Sequence, residues 1–301
     1  MCVPNESARD GVQPVPDGVR LLVWNGKGEP PEGIDATEIL LGAYMGGALA
    51  ETTLAAMPRL RVIQLLSAGV EAWIPIVPKG VLLCNGRGVH GGSTAELAVA
   101  GILSLTRRLP HFLAEQSAAR WSHEATDDMD GKRVLVLGAG DIGRRAAAAL
   151  EVFDATVSYV GRSARDGVHG IDELPGLLPE SDIVVVALPL TDATHRLLDA
   201  TFLAALPDHA IVANIARGSI VDTDALLAEL TAGRLRAFLD VTEPEPLPPD
   251  HPLWRAPGVI ITPHVGGGTR GWERRAYRLV RQQIARYVAG EQLTNVVGTE
   301  Y

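Results

Sequence analysis

The sequence predicts an α/β protein built on parallel sheets, because short strand-like runs alternate with helix-length segments. The runs are rich in Val, Ile and Leu on both faces, which is typical of parallel strands covered by helices on both sides. At 301 residues the chain is long enough for about two domains, and 47% hydrophobic residues can fill their cores. The strand-like runs lie at 21–24, 60–66, 81–84, 134–137, 156–160, 183–188, 210–215, 237–241 and 259–262.

Two helices can be placed from local patterns. Ser93 and Glu96 have the spacing of a helix capping box, so we expect a helix that begins there and stops before Pro110. Residues 97–105 are apolar nearly all round, which indicates burial on more than one side, either within the domain or in a dimer interface. A second helix should begin at Trp272 and carry an arginine-rich face exposed to solvent.

Charge and composition exclude several classes of partner. Lys plus Arg number 27 against 36 Asp plus Glu, and the formal charge of −9 argues against binding to nucleic acid or to an anionic membrane. Cys2 and Cys84 are the only cysteines, so neither a disulfide framework nor a four-ligand zinc site is expected. The chain start lacks a signal-peptide pattern, and no apolar run reaches the roughly 18 residues of a membrane span. A cytoplasmic location is therefore expected.

A glycine-rich turn follows the strand-like run at 134–137. Gly138, Gly140 and Gly143 stand in the order G-x-G-x-x-G ahead of an alanine-rich helix, with Asp141 and Ile142 between the last two glycines. Glycines at these places let the pyrophosphate of a dinucleotide approach the helix N-terminus. The pattern alone is weak in a glycine-rich chain, but its position between a strand and a helix favours dinucleotide binding.

The residues that select the cofactor should lie at the end of the next strand. An Asp or Glu normally binds the adenosine ribose there, whereas this chain has Arg162 and Ser163, with Arg165 close by. Arg162 can form a forked contact with a 2′-phosphate, so the sequence predicts NADP over NAD. Asp166 leaves NAD as an alternative, and the arginines could also simply decorate an exposed loop.

Three further residues suggest the chemistry. Arg217, Glu245 and His264 lie downstream of the glycine turn, within the phrases 214–219, 240–245 and 262–266. A guanidinium can hold an anionic substrate, and an imidazole beside a carboxylate can move a proton while a nicotinamide moves a hydride. The combination predicts an oxidoreductase.

The order of these motifs resembles the D-isomer-specific 2-hydroxyacid dehydrogenases, and the resemblance covers nearly the whole chain from about residue 20. It implies two Rossmann-like domains, one flavodoxin-like and one NAD(P)-binding, with the nucleotide domain inserted into the substrate domain. Residues 1–90 plus 264–301 would form the substrate or catalytic domain, and residues 91–263 would bind the cofactor. The segments that carry the resemblance are 66–70, 93–96, 138–143, 187–190, 214–222, 240–246 and 262–267.

The resemblance also implies individual roles. Arg217 would bind the substrate carboxylate and C2 oxygen, His264 would exchange the proton, and Glu245 would be its partner. Glu243 lies in the same phrase and remains the alternative partner. Asp240 would contact the nicotinamide carboxamide. The substrate loop would comprise Ser67, Ala68, Gly69 and Val70. Further cofactor contacts would come from Leu188, Pro189, Thr194, Ile215, Ala216, Gly266 and Gly267.

The implied reaction is reduction of a small 2-oxo acid to the D-2-hydroxy acid by NADPH. Glyoxylate and hydroxypyruvate are the favoured substrates, because the small-residue loop offers no evident pocket for a phosphate or a large side chain. A phosphoglycerate-type dehydrogenase is a less favoured alternative, since the chain ends at Tyr301 without a regulatory domain. A nucleotide-sensing, corepressor-like interaction protein is the rival from another class. The resemblance and the apolar helix at 97–105 together predict a homodimer.

Overall fold

The computed structural model describes residues 1–44 and 46–298. Within these ranges the strands are β1 (Cys2–Val3), β2 (Leu22–Val23), β3 (Ile39–Leu41), β4 (Val62–Gln64), β5 (Leu82–Cys84), β6 (Arg133–Leu137), β7 (Thr156–Gly161), β8 (His169–Gly170), β9 (Ile183–Val186), β10 (Ile211–Asn214), β11 (Arg236–Leu239) and β12 (Val259–Ile261). The α-helices are α1 (Glu6–Gly11), α2 (Glu51–Ala55), α3 (Gly91–Thr106), α4 (Leu109–Ser117), α5 (Asp141–Glu151), α6 (Leu174–Leu177), α7 (Ala200–Ala204), α8 (Thr223–Thr231) and α9 (Trp272–Val288).

The chain divides into two compact units, one of residues 1–90 and 269–301 and the other of residues 91–268. Each unit has its own parallel sheet, so the predicted α/β fold is confirmed. None of the described helices is long and apolar enough to span a membrane.

The first unit contains a five-stranded sheet in the order β2-β1-β3-β4-β5. This is the flavodoxin-like order, in which the first strand lies inside the sheet. In β1, Cys2 pairs with Leu22 on one side and with Leu40 on the other. The sequence did not predict β1 or β3, because two or three apolar residues are too few to show a strand period.

The second unit contains a seven-stranded sheet in the order β12-β11-β10-β9-β6-β7-β8. Counted from the β8 edge, the six strands β8-β7-β6-β9-β10-β11 follow the 3-2-1-4-5-6 order of dinucleotide-binding folds. The strand order reverses between β6 and β9, which pair in register from Val134 opposite Ile183 to Leu137 opposite Val186. Ligands of such sheets bind beyond the carboxyl ends of the strands at this reversal.

Helix α3 packs on the second sheet. Ala98 and Ile102 are fully buried, and a side chain at Gly101 would collide with the ring of Phe238. The helix begins at Gly91, so the predicted start at Ser93 was wrong by two residues. Leu97, Val99 and Leu103 are partly buried around the same core.

Helix α9 begins at Trp272 as predicted and buries Ala276, Val280 and Ile284 against the first sheet. Its arginine face is only partly solvated. Arg275 donates to the Val89 carbonyl and Arg281 to the Gly11 carbonyl, each at 2.6 Å. The solvated interpretation was therefore wrong for these two arginines, one of which binds the carbonyl at the end of α1 and the other the Val89 carbonyl just before α3.

Candidate active site

The glycine turn lies between the end of β6 and the start of α5, at the strand-order reversal. Gly138 has φ +107°, and a Cβ there would lie 2.5 Å from the carbonyl oxygen of Ala187, just after β9. A Cβ on Gly143 would collide with the Gly138 carbonyl oxygen. Gly140 differs, because a Cβ there would meet no atom of the described residues within 4 Å. Two glycines are thus required by packing, while the middle one borders open space of the kind that a pyrophosphate needs.

The start of α5 fits an anionic ligand. No side chain caps the amide groups of its first turn at Gly140, and such amides attract phosphate. Arg144 donates to the Ala139 carbonyl at 3.0 Å and lies 5.2 Å above the ring centroid of Tyr159 on β7. This arginine, which the sequence analysis missed, fixes the turn to the next strand.

The carboxylate of Asp141, the first residue of α5, lies against other parts of the chain. Its Oδ1 accepts from Nε of Arg145 at 2.8 Å, and its buried Oδ2 lies against Gly91 without a hydrogen-bond partner in the described chain. A cofactor contact at Asp141 would therefore come from its backbone.

A second turn follows β9 beside Gly138. Thr194 Oγ1 donates to the Pro189 carbonyl at 2.7 Å and accepts from the Thr191 amide at 2.8 Å, which closes the turn. Leu188 packs on the core of the same unit. The structure thus brings Leu188, Pro189 and Thr194 together at the edge where the cofactor is expected.

The loop after β7 carries the residues predicted to select the cofactor. Arg162 and Ser163 are exposed immediately after Gly161. Arg165 and Val168 exchange backbone hydrogen bonds of 2.9 and 2.8 Å, which tightens the loop, and the Arg165 guanidinium lies over Gly161. The exposed positions of Arg162 and Ser163 leave them accessible to a ligand.

Arg217 follows β10 in a turn that Asn214 holds. The buried Asn214 side chain accepts from the Ala216 amide at 3.1 Å and donates to the Arg217 carbonyl at 2.9 Å. Nη1 of Arg217 donates to the Ala216 carbonyl at 2.7 Å. Gly218 is required next, because a side chain there would collide with the Thr242 carbonyl. Ile215 and Ala216 are buried within the same turn.

His264 and Glu245 are in direct contact. Nδ1 of the imidazole lies 2.6 Å from Oε1 of Glu245, and the two side chains are 34% and 39% exposed. Glu243 is engaged elsewhere through its backbone, since its carbonyl accepts from Thr223 Oγ1 at 2.8 Å. Of the two candidate carboxylates, Glu245 is the one the structure places against the histidine.

Asp240 ties the histidine loop to the end of β11. Its carboxylate is almost fully buried and accepts from Thr262 Oγ1 at 2.6 Å and from the amides of Val265 and Gly266 at 2.9 Å each. The His264 amide also donates to the Asp240 carbonyl at 2.7 Å, and His264 has a left-handed φ of +53°. These contacts were not predicted from the sequence. The nicotinamide contact of Asp240 and the cofactor contacts of Gly266 and Gly267 stay predictions.

The expected substrate loop, Ser67 to Val70, lies in the first unit after β4. The Ser67 carbonyl accepts from the Gly86 amide at 2.6 Å, and Ser67 Oγ donates to the Gly69 carbonyl at 3.3 Å. Val70 is fully buried and anchors the loop in the core. Across residues 1–44 and 46–298, no group of three or more His, Cys, Asp or Glu is arranged to hold a metal ion.

Comparison with known proteins adds a family and several relatives. Residues 99–266 match the family described as D-isomer specific 2-hydroxyacid dehydrogenase, NAD binding domain. A glyoxylate reductase/hydroxypyruvate reductase of Mus musculus is 36% identical over 229 residues, covering 71% of this chain and 70% of that protein. A D-3-phosphoglycerate dehydrogenase of Methanocaldococcus jannaschii is 28% identical, covering 93% of this chain but only 57% of that protein.

A solved crystal structure is similar to this chain along nearly its whole length. A D-isomer specific 2-hydroxyacid dehydrogenase from Xanthobacter autotrophicus Py2, in complex with NADPH and MES, superposes with a TM-score of 0.87. It is 31% identical in sequence, and the match covers 99% of this chain and 98% of that one.

Proposed function

Because the chain belongs to the D-isomer specific 2-hydroxyacid dehydrogenases, which are NAD(P)-dependent oxidoreductases, we propose that it reduces a small 2-oxo acid to the D-2-hydroxy acid. NADPH supplies the hydride to C2, and His264 supplies the proton to the C2 oxygen. Hydride transfer oxidises NADPH to NADP⁺, while proton transfer leaves His264 neutral until it regains a proton from solvent.

The observation that carries this proposal is the contact between His264 and Glu245. A carboxylate oxygen accepts a hydrogen bond, so the 2.6 Å contact places the Nδ1 proton toward Glu245 and leaves Nε2 to face the substrate. The Glu245 carboxylate also fixes the orientation of the imidazole ring. The pair therefore has the chemistry of a general acid for reduction and a general base for oxidation.

Arg217 would hold the substrate. Its planar guanidinium can bind the carboxylate and the C2 oxygen together, which fixes C2 for hydride transfer. The Asn214 bonds within the turn and the Ala216 contact hold the arginine in place before the substrate binds. Ser67, Ala68, Gly69 and Val70 would contribute the second carboxylate contact through their backbone.

The dinucleotide would lie along the carboxyl edge of the second sheet. Gly138, Gly140 and Gly143 would receive the pyrophosphate, and Arg162 with Ser163 would bind a 2′-phosphate, which favours NADP over NAD. The exposure of the Arg162 loop and the NADPH in the Xanthobacter relative support this choice. Asp240 would contact the nicotinamide carboxamide. Further cofactor contacts would come from Ile142, Leu188, Pro189, Thr194, Ile215, Ala216, Gly266 and Gly267.

Glyoxylate and hydroxypyruvate are the proposed substrates. The mouse relative bears both names, and the proposed substrate loop carries no cationic side chain for a phosphate. The phosphoglycerate dehydrogenase among the relatives keeps 3-phosphohydroxypyruvate as the second candidate.

The test is a panel of 2-oxo acids assayed by loss of NADPH or NADH absorbance. We expect turnover of glyoxylate and hydroxypyruvate with NADPH, and a rate for 3-phosphohydroxypyruvate that is much lower. His264→Ala should bind NADPH normally and lose turnover, which separates a chemical role from a binding role. NADPH binding by the wild type without turnover of any 2-oxo acid would favour the corepressor-like alternative.

We also propose that the protein forms a homodimer through the segment that follows α3. Trp121 is 98% exposed and Leu113 is 61% exposed. Exposure of such large apolar side chains to water is unfavourable, and contact with a second subunit would remove them from water. Glu124 accepts from Arg108 and from His111, so the segment that presents Trp121 is fixed rather than loose. Trp121→Ala should shift the mass in solution from dimer toward monomer, and a monomeric wild type would contradict the proposal.

A further inference from the structure

Two threonine hydroxyls bind the loop that carries Glu245. Thr223 Oγ1 donates to the Glu243 carbonyl at 2.8 Å, and Thr242 Oγ1 donates to the Pro244 carbonyl at 2.9 Å. In the described part of the chain, neither carbonyl accepts a hydrogen bond from any other donor. The two hydroxyls therefore fix the two peptide groups that lie directly before Glu245.

The sequence of the loop limits other ways of holding it. Pro244 and Pro246 flank Glu245 and have no amide hydrogen, so neither can donate a hydrogen bond. The Pro244 carbonyl and the Glu245 amide belong to one planar peptide group. A hydrogen bond from Thr242 to this carbonyl therefore also orients the backbone of Glu245.

Thr223 lies on a rigid element. It is the first residue of α8, and the side chain of Asp222 caps this helix by accepting from the Ala225 amide at 3.1 Å. Leu226 and Leu230 anchor the same helix in the core, since neither is more than 1% exposed. The hydroxyl that binds the Glu243 carbonyl thus projects from a backbone that is already fixed.

Thr242 is fixed by packing. It is only 8% exposed, and its carbonyl lies so close to Gly218 that a side chain there would collide with it. Gly218 directly follows Arg217, the proposed substrate residue. Thr242 therefore joins the loop that carries Glu245 to the turn that carries Arg217.

The contact between Glu245 and His264 depends on this support. The two side chains are 39% and 34% exposed, so water competes for both of them. An ion pair this exposed contributes little to stability by itself. The position of Glu245 is therefore set by the loop rather than by its attraction to the histidine.

We propose that Thr223 and Thr242 are positioning residues that hold Glu245 against His264. The inference rests on the proposed function and extends it to two hydroxyl groups that take no part in the proton transfer itself. Loss of either hydroxyl lets its peptide rotate and lets Glu245 move away from the imidazole. The rate of reduction then falls, while the affinity for NADPH stays the same.

The hydroxyls are tested by valine substitutions, which keep the β-branched shape of threonine. Thr223→Val and Thr242→Val should each lower the single-turnover rate of glyoxylate reduction about three-fold to ten-fold. KM for glyoxylate and Kd for NADPH should stay within about two-fold of the wild type. Thr223→Ser and Thr242→Ser retain a hydroxyl and should keep the rate within about two-fold.

A double substitution separates positioning from other roles. In Glu245→Gln there is no carboxylate to hold, so the addition of Thr223→Val should lower the rate by less than about two-fold. Thr201→Val is the matched control in the wild-type background. Thr201 is exposed in the first turn of α7, and its substitution should leave the rate unchanged.

Nuclear magnetic resonance tests the geometry without a substrate. The nitrogen shifts of the His264 ring show which ring nitrogen carries the proton, and in the wild type we expect the proton on Nδ1, facing Glu245. Thr223→Val should shift the population toward the tautomer with the proton on Nε2. Thr223→Ser should give the wild-type shifts.

The outcomes separate the two proposals. A wild type that reduces no 2-oxo acid would overturn the proposed function, and the ring shifts would then decide the inference alone. An active wild type with unchanged rates in both valine variants, or ring shifts unchanged in Thr223→Val, would overturn the inference. Equal losses of rate from Thr223→Val in the wild-type and Glu245→Gln backgrounds would assign the hydroxyl a merely structural role, and would also overturn it. If Thr242→Val does not fold, Thr223→Val decides the question, since Thr223 is only half-buried.

Discussion

Gly138 and Ala187 approach so closely that a Cβ on Gly138 would lie 2.5 Å from the Ala187 carbonyl oxygen. The contact joins the turn after β6 to the turn after β9, the two strands between which the sheet order reverses. Gly138 also has φ +107°, a backbone conformation that residues other than glycine rarely adopt. One residue thus fixes both the shape of the glycine turn and the distance between two loops that are expected to hold the cofactor.

Gly138→Ala and Gly140→Ala should therefore have opposite signatures. The first should lower the free energy of unfolding by more than about 1 kcal/mol, because neither the φ angle nor the space admits a methyl group. The second should keep the wild-type stability, since within residues 1–44 and 46–298 no atom lies within 4 Å of the added methyl group, yet weaken NADPH binding about ten-fold or more. Urea unfolding and fluorescence titration with NADPH measure the two effects.

Gly176→Ala is the matched control for this pair, because its added methyl group also meets no atom within 4 Å and lies outside the turn. Gly176→Ala should leave the affinity for NADPH unchanged. Equal NADPH affinity in Gly140→Ala and the wild type would remove the glycine turn from the cofactor site.

Arg162→Asp should reverse the cofactor preference. The substitution removes the forked cation proposed to face the 2′-phosphate and supplies a carboxylate that can bind the ribose hydroxyls of NAD. We expect kcat/KM with NADPH to fall about ten-fold or more, while the value with NADH is retained or rises. Arg274→Asp makes the same charge change at an exposed site on α9. An unchanged ratio of NADPH to NADH activity in Arg162→Asp would contradict the assignment.

Glu245→Gln should lower kcat of reduction by about ten-fold to a hundred-fold, because the imidazole loses the carboxylate that orients its ring for proton transfer. Glu243→Gln removes an identical charge two residues away and should change kcat little. The downfield proton resonance expected for a short imidazole–carboxylate hydrogen bond should disappear only in Glu245→Gln. A greater loss of kcat in Glu243→Gln would assign the partner role to the other carboxylate.

Much of the second unit could be predicted from the sequence, and the reason is physical. The turn at 138–143 follows a buried strand, and backbone collisions leave no alternative to glycine at Gly138 and Gly143. The family resemblance favoured Glu245 over Glu243, and the structure places Glu245 at His264, while the catalytic roles stay predictions.

The contacts that the sequence did not indicate are those made across long separations. Strand β1 lies inside its sheet but is only two residues long, so it has no period to detect. Asp240 accepts hydrogen bonds from three donors of the loop at 262–266, and Asn85 donates to the Ala68 carbonyl. The partners are 17 to 26 residues apart in the sequence, so no local spacing predicts these hydrogen bonds. Such partners can be identified only from the folded structure.

Both thiols should react slowly in the native protein. Burial raises the pKa of Cys84 to about 11, and burial likewise raises the pKa of Cys2 to about 11. At pH 8 only about one thiol in a thousand would be a thiolate, which is the nucleophilic form. An aromatic disulfide reagent should therefore titrate two thiols per chain rapidly in denaturant and slowly without it. Ala232→Cys supplies an exposed thiol as control, and rapid native labelling of the wild type would contradict the burial.

Asp240→Asn should unlock the loop that carries His264. The carboxylate accepts from Thr262 Oγ1 and the Val265 amide through Oδ1, and from the Gly266 amide through Oδ2. An amide at this position has one oxygen, so its NH₂ group must face at least one of these donors, a mismatch that costs about 1–3 kcal/mol when buried. We expect a lower free energy of unfolding together with a lower kcat, since the left-handed backbone of His264 is held by this network. Asp192→Asn, at an exposed site, is the matched control. Wild-type stability in Asp240→Asn would show that the loop is held by other contacts, and would leave Asp240 only its predicted place beside the nicotinamide.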